Sequence, residues 1–415
     1  MRTLTQTCPP RHDVLAKCEY LGVLTFDPFD PDHLIHGVPF DHLARIRREE
    51  PVCRTPRGAW YLSRYELVEA ALKDVDTFRA DLGALSGLGG VEDVPDDQLF
   101  LSELLEPRHG SVRRLFNATF GPHRVAKLEP FVREICNRLL DDMLSRGVAD
   151  LHHDYALPIP GIVMTHIMGL PEDTPQKFME WSEDGTIMKR PCSPDVGEGN
   201  HALQNFFAEQ LAQRRALDEM PRDVFRTLTE AVIDGEPLND QQVVTQLHFM
   251  VQAGVHTTRG LLTHLVERLL LDRELFESIR ADRSLVPNYV EESLRHDAPV
   301  QRTSRRCTRD TELGGVKMGK DDWVEMGIAS ANRDEAVYGD PESFRLDRPQ
   351  PRYHLAFGAG SHICPGATLA RLEGTLAVEV LLDRVAAMET IDGVTYPPIP
   401  GNLSHAPIPA KLIPA

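Results

Sequence analysis

Apolar residues recur with helical spacing from about Ser111 to Asp297, and shorter apolar runs broken by Pro and Gly flank that stretch on both sides. A mainly α chain with small β-sheets at the two ends of the sequence is expected. Up to about Leu72, short helices mix with strand-like pieces such as Ala59-Trp-Tyr-Leu-Ser63, and short strands with Pro-rich turns return from Thr303 onward. The longest helix is predicted from Asn239, where Asn at the cap and Gln242 three residues later form a capping-box pattern, to about Leu271. Leu247, Val251, Thr258, Leu261, Leu265 and Leu269 share one face of it, and other faces are apolar too, so burial on several sides is expected. About 33 residues at ~1.5 Å each make a rod of ~50 Å, a spine through the molecule.

No internal repeat or long polar linker divides the chain, and one unit over residues 1–415 is the simplest organisation. Hydrophobic residues make up 41% and charged residues 26% of the chain, the balance of a globular protein. No apolar run approaches the roughly 18 to 20 residues that span a bilayer, so stable membrane insertion is not expected. The segment Met1–Pro10 lacks the apolar core of a secretory signal, and seven scattered cysteines without a CxxC pair fit a reducing compartment. A cytoplasmic protein without disulfides or structural zinc is expected. A formal charge of −18 repels phosphate backbones and argues against nucleic acid as a partner. Arg108, Arg113, Arg114, Arg124 and Lys127 nevertheless cluster, either as a solvated helix face or as a docking surface for an acidic partner. Gly83–Gly90 lacks the Lys-Ser/Thr of a phosphate loop and reads as a lid, and residues 189–199 read as a second mobile loop.

Candidate chemistry concentrates in His354-Leu-Ala-Phe-Gly-Ala-Gly-Ser-His-Ile-Cys-Pro-Gly366. Gly358 and Gly360 permit positive φ, and Pro365 suits the first position of a helix running through Glu373. Cys364 at a helix N-terminus would be favoured as a thiolate, the metal-binding form and the axial ligand that pushes electron density into haem iron. A core cysteine beside a glycine turn is the alternative. Two weaker patterns accompany it. Gln252-Ala-Gly-Val-His-Thr-Thr258 offers close backbone approach at Ala253 and Gly254, or merely a helix whose Thr hydroxyls bond the preceding turn. Glu292 and Arg295 stand one turn apart, a spacing common to surface ion pairs.

Taken together, Phe357-Gly-x-Gly-x-His-x-Cys-x-Gly366 resembles the haem-binding loop of the cytochrome P450 family. The resemblance implies the P450 fold: a mainly α triangular prism with small β-sheets, whose long central helix crosses over haem b. It implies Cys364 as the iron ligand, with Phe357, Gly358 and Gly366 shaping its loop. His109 and Arg113 (an H-x-x-x-R pair), Arg305, His362 and His354 are implied as contacts to the haem propionates. Glu292 and Arg295 match the family's ExxR brace, with Arg348 as third partner, and Ala331-Asn-Arg-Asp334 adds another familiar stretch. Ala253, Gly254 and Thr257 match the oxygen-activating groove, where the usual acid is replaced by His256, an imidazole that ordinarily titrates near pH 6.5. Implied for the substrate pocket are Leu85, Leu88, Val251, Ala253, Val300 and Leu403, mostly apolar, hence a terpenoid, steroid, fatty acyl or polyketide-type molecule. The implied activity is O₂-dependent hydroxylation or epoxidation, with NAD(P)H-derived electrons delivered by a ferredoxin-type protein on the basic proximal face. Oxidative coupling, ring closure, desaturation or peroxide-driven oxidation is the alternative. A haem-thiolate sensor or carrier is a more distant one.

Overall fold

A computed structural model describes residues 24–30, 38–81, 90–182, 197–394 and 405–415. Among them the chain forms helices α1 (Phe40–Glu49), α2 (Tyr65–Lys73), α3 (Arg108–Phe120), α4 (Pro122–Ala126), α5 (Glu129–Arg146), α6 (Pro158–Met168) and α7 (Thr174–Ser182). There follow α8 (Glu198–Arg215), α9 (Val224–Thr229), α10 (Asp240–Leu271), α11 (Arg273–Ala281), α12 (Val286–His296), α13 (Ile328–Ala331) and α14 (Ala367–Arg384).

Helix α10 is the expected spine. Asn239 Oδ1 accepts from the Gln242 amide at 2.8 Å and Gln242 Oε1 accepts from the Asn239 amide at 2.9 Å, closing the capping box. The helix runs 32 residues. Its apolar residues lie on more than one face because α6, α8, α12 and α14 all pack against it, and Leu247, Leu261, Leu262 and Leu265 are buried in one core with residues of those helices. Burial on several sides lets so long a helix persist where propensity alone would leave it marginal.

Strands β1 (Val52–Arg54), β2 (Trp60–Leu62), β3 (Phe78–Ala80), β7 (Thr303–Cys307) and β10 (Trp323–Met326) form one sheet in the order β1-β2-β10-β7-β3. Its central pairing, β2 with β10, is parallel, so early and late parts of the sequence share the sheet. The β7 strand ends the run from α12 and carries Arg305 inward. A second sheet departs from the expectation of sheets only at the ends. Strand β12 (Pro409–Pro414) lies between β11 (Val385–Thr390) and β4 (Val148–Asp150), the last drawn from within the helical stretch. Two short hairpins, β5–β6 (232–233 with 236–237) and β8–β9 (311–313 with 316–318), complete the strands. No described helix is long and apolar enough to cross a membrane.

Candidate active site

A cavity opens between the middle of α10 and the loop before α14. Ala253, Gly254 and Thr257 line one side, and Phe357, Gly358, Cys364 and Gly366 the other. The loop is held by its own backbone and by the Asn332 side chain. The Cys364 amide donates to the Phe357 carbonyl at 2.8 Å, and the Leu355 amide donates to Asn332 Oδ1 at 2.7 Å. Gly358 and Gly360 have φ of 72° and 71°. At Gly360 a Cβ would also come within 3.0 Å of the Lys73 backbone, so the loop can press against α2 only because no side chain is present.

Burial pushes the Cys364 thiol up, opposed by the Gly366 amide, the Arg113 and Arg371 guanidinium groups and the Ala367 amide. These donors favour the thiolate wherever a metal replaces the proton. Pro365 does not start the helix as expected. Gly366 is the N-cap and Ala367 the first helical residue, and the chain turns there so that the amides of both point at the sulfur.

Behind the loop, Glu292 and Arg295 meet at 2.7 Å, both almost fully buried. Arg348 joins Glu292 at 2.9 Å, and Arg295 also donates to the Asn332 and Pro341 carbonyls, each at 2.9 Å. Burial alone would raise the Glu292 carboxyl, but Arg295 and Arg348 hold it below the usual range. A paired, hydrogen-bonded carboxylate of this kind locks α12 to the segment preceding the cysteine loop.

Basic side chains gather at one rim of the cavity. The His109 and His362 rings stack at 4.0 Å and 9°, Arg113 donates to the Ile363 carbonyl, and Arg305 donates through Nη1 to Thr303 Oγ1 and the Ser304 carbonyl. Arg305 Nε and His109 Nε2 are buried without a partner. Burial draws Arg305 down to about 10, and burial with neighbouring cationic groups draws His362 down to about 3. Electropositive groups held together with orphaned nitrogens call for an anionic ligand. On the α10 side, Thr257 Oγ1 donates to the Ala253 carbonyl at 2.7 Å, the hydroxyl-to-turn bond considered as an alternative, yet Thr257 still lines the cavity.

Sequence comparison decides the family. A family model described as Cytochrome P450 matches residues 195–413. Cytochrome P450 109 of Bacillus spizizenii is 32% identical over 361 residues, covering 85% of each chain. The steroid C26-monooxygenase of Mycolicibacterium smegmatis is 30% identical, covering 87% of this chain and 89% of that one. The chain belongs to the cytochrome P450 family. In structure it resembles CYP109Q5 of Chondromyces apiculatus with a TM-score of 0.81 and 30% identity, covering 94% of this chain and 99% of that one. It is a P450 monooxygenase with the P450 fold.

The P450 cofactor is haem, and the residues present fit it. The orphaned nitrogens of Arg305 and His109 suit propionate oxygens, and Cys364 stands in the opposite wall from α10, where an iron ligand is required. Among the described P450 residues, four expectations change. His354 turns away from the cavity, its Nε2 bonded to Glu291 at 2.9 Å, because a buried carboxylate there offers a partner that the cavity wall does not. Val251 packs in the core rather than lining the cavity, since residues Phe249, Met250, Ala253 and Thr257 take that face. His256 faces a small separate cleft with Leu157, Phe178, Met179 and Arg259, as ~100° per residue requires once Thr257 faces the cavity. Burial, then Arg259, lowers its imidazole to about 4. Pro365 is the fourth, already described. Val300 lines the cavity, whereas Leu85, Leu88 and Leu403 lie outside the described residues.

Lining residues missed in the sequence include Leu101, Phe116, Met164, Phe249 and Met250. Phe249 stands four residues before Ala253, so the helical face already chosen would have reached it. Met164 had no such signal. It reaches the groove from α6, where a Cβ on Gly254 would meet its sulfur at 3.2 Å.

Proposed function

We propose that this P450 binds haem b on Cys364 and hydroxylates or epoxidises a hydrophobic small molecule with a terpenoid, steroid, fatty acyl or polyketide-type scaffold. The observation that carries the proposal is the cavity itself, walled by Leu101, Phe116, Met164, Phe249, Val300 and Ile328 on the way to the Thr257 groove. Such a wall binds by apolar contact and excludes water. When bound, the haem supplies reductive activation of O₂. Cys364 would hold the iron, His109, Arg113, Arg305 and His362 would hold the propionates, and Thr257 would present its hydroxyl to the reacting side. The steroid C26-monooxygenase relative makes steroids the first compounds to test.

Electrons would come from a separate acidic ferredoxin and its reductase, with the enzyme working in the cytoplasm. Arg114 on α3, Arg124 on α4 and Lys127 just after α4 are exposed, and α4 packs against α14. A panel of steroids, terpenoids, fatty acids and macrolactones should contain compounds that shift the haem from low to high spin. Turnover with NADH, ferredoxin and reductase should then yield a product bearing one oxygen from ¹⁸O₂. Spectral binding with neither coupled NADH consumption nor product across the panel would point to a sensor or carrier instead.

One observation favours a second reading, oxidation without oxygen insertion or with peroxide. Beside Thr257 the proton-relaying position carries His256 next to Arg259, and Arg259 pairs with no carboxylate among the described residues. A coupled, ring-closed or desaturated product lacking ¹⁸O would establish that reading.

A further inference from the structure

The helix that carries Glu292 also carries Glu291, and the two carboxylates face different partners. Glu292 serves Arg295 and Arg348, whereas Glu291 reaches the cysteine loop and the helix after it. Glu291 is buried to 4% exposure. Its Oε1 accepts from Arg371 Nε at 2.6 Å, its Oε2 accepts from Arg371 Nη2 at 3.1 Å and from His354 Nε2 at 2.9 Å, and Arg352 approaches at 3.3 Å from the surface. Arg371 lies on α14, and its guanidinium sits 4.5 Å above the centroid of the Phe357 ring. Phe357 in turn gives its carbonyl to the Cys364 amide. Arg371 is also one of the two cations whose field bears on the Cys364 sulfur.

The arrangement is therefore a carboxylate that neutralises a guanidinium held against the ligand loop. A bidentate Arg–carboxylate pair fixes both distance and direction, and within a low-dielectric wall a unit charge acts over several ångströms. With Glu291 ionised, Arg371 and Glu291 form a near-neutral pair as seen from the sulfur. Without that charge, Arg371 would present an unbalanced positive field on the side of the thiolate.

We propose that Glu291 is a positioning residue which, through Arg371 and Phe357, sets the electron density available at the Cys364 thiolate and so the reduction potential of the bound haem. This rests on the assignment of Cys364 as the haem ligand. Hydrogen bonding and charge around a ligating sulfur are recognised levers on potential. The signs follow from charge alone. A positive field stabilises the reduced state, which carries one more electron, so loss of the Glu291 charge raises the potential and loss of the Arg371 charge lowers it.

The test uses haem-loaded protein in redox titrations monitored by the Soret band. Glu291→Gln is isosteric, removes the charge and keeps one of the two acceptor oxygens. It is expected to raise the ratio of reduced to oxidised protein at a fixed poise by about threefold or more, where tenfold corresponds to about 59 mV for one electron. Arg371→Gln is expected to shift the ratio in the opposite direction, and the double variant to return towards the parent. Glu291→Asp, which restores the charge, should recover most of the parental potential. A merely structural brace would make both single variants shift the same way, with broadened spectra and lower melting temperatures, and that outcome overturns the proposal. Potentials unchanged within error overturn it equally. Should Glu291→Gln fail to hold haem, Arg371→Gln and Glu291→Asp decide alone: an unchanged or raised potential in Arg371→Gln, or a markedly raised one in Glu291→Asp, overturns it. A parent protein without a Soret band would instead overturn the haem assignment.

Discussion

At the scale of single residues, the environment of a group changes its chemistry more than its identity does. His256 illustrates this. The sequence places an imidazole with an ordinary value near 6.5 at a proton-relaying position, but its cleft of apolar side chains and Arg259 brings it to about 4. His256 is therefore neutral at pH 7 and donates or accepts a single hydrogen bond per nitrogen. His152, buried beside Thr263 and also near Arg259, is lowered to about 4 as well. Between about pH 4 and 6.5 the unfolded chain binds protons that these folded histidines refuse, so stability falls as pH falls through that window. Thermal melts should show a decline from pH 7 to pH 5, and His256→Gln should make it shallower. Identical slopes for variant and parent would count against the buried neutral form. Cys364 supplies the second expectation at this scale. The reduced, CO-bound protein should show the red-shifted band of a thiolate haem, and Cys364→His should lose it while the remaining cysteines can be replaced without that loss.

Elements were legible to the degree that their signals were local. Helix α10 begins at Asp240 and ends at Leu271, matching the sequence estimate, because its start is written in two side chains three residues apart. Strand β4 was not legible. It is three residues long, and its partner β12 lies more than 250 residues away, so no local pattern marks it. The misplacement of Val251 against Phe249 and Met250 is of another kind: the face was right in outline, but one residue along a helix turns it by ~100°. His354 shows the remaining gap, since its direction was decided by Glu291, a residue with no sequence mark beyond adjacency to Glu292. At the start of α14, proximity to the sulfur outweighs helix-start chemistry. Pro365 precedes the N-cap and supplies no N–H, while Gly366 and Ala367 direct theirs to Cys364. Pro365→Leu should add a donor near the sulfur, raise the reduction potential and shift the CO-bound spectrum, with little change in melting temperature. A potential equal to the parent's would reduce Pro365 to a turn residue.

For the whole molecule, charge is distributed against its own average. The chain carries −18 overall, yet Arg114, Arg124 and Lys127 stand exposed, Arg124 on the helix that packs against the cysteine helix. Reduction by an acidic ferredoxin should slow as salt rises from 0.02 to about 0.3 M, because screening shortens the reach of these charges below ~10 Å. Arg124→Glu should slow it several-fold at low salt, and reduction by dithionite should be unaffected. A rate insensitive to both changes would place the docking surface elsewhere. The second sheet has a further consequence, which concerns the order in which the protein is made. Residues of β12 leave the ribosome after both strands they join, and Ala410 and Leu412 complete a core that includes Leu151 and Val385. Until then β4 and β11 have open edges, and the haem loop between them in sequence is already synthesised. Closure of this sheet is thus a late, long-range step, and a chaperone that shields strand edges until β12 pairs is expected to raise the yield of folded protein.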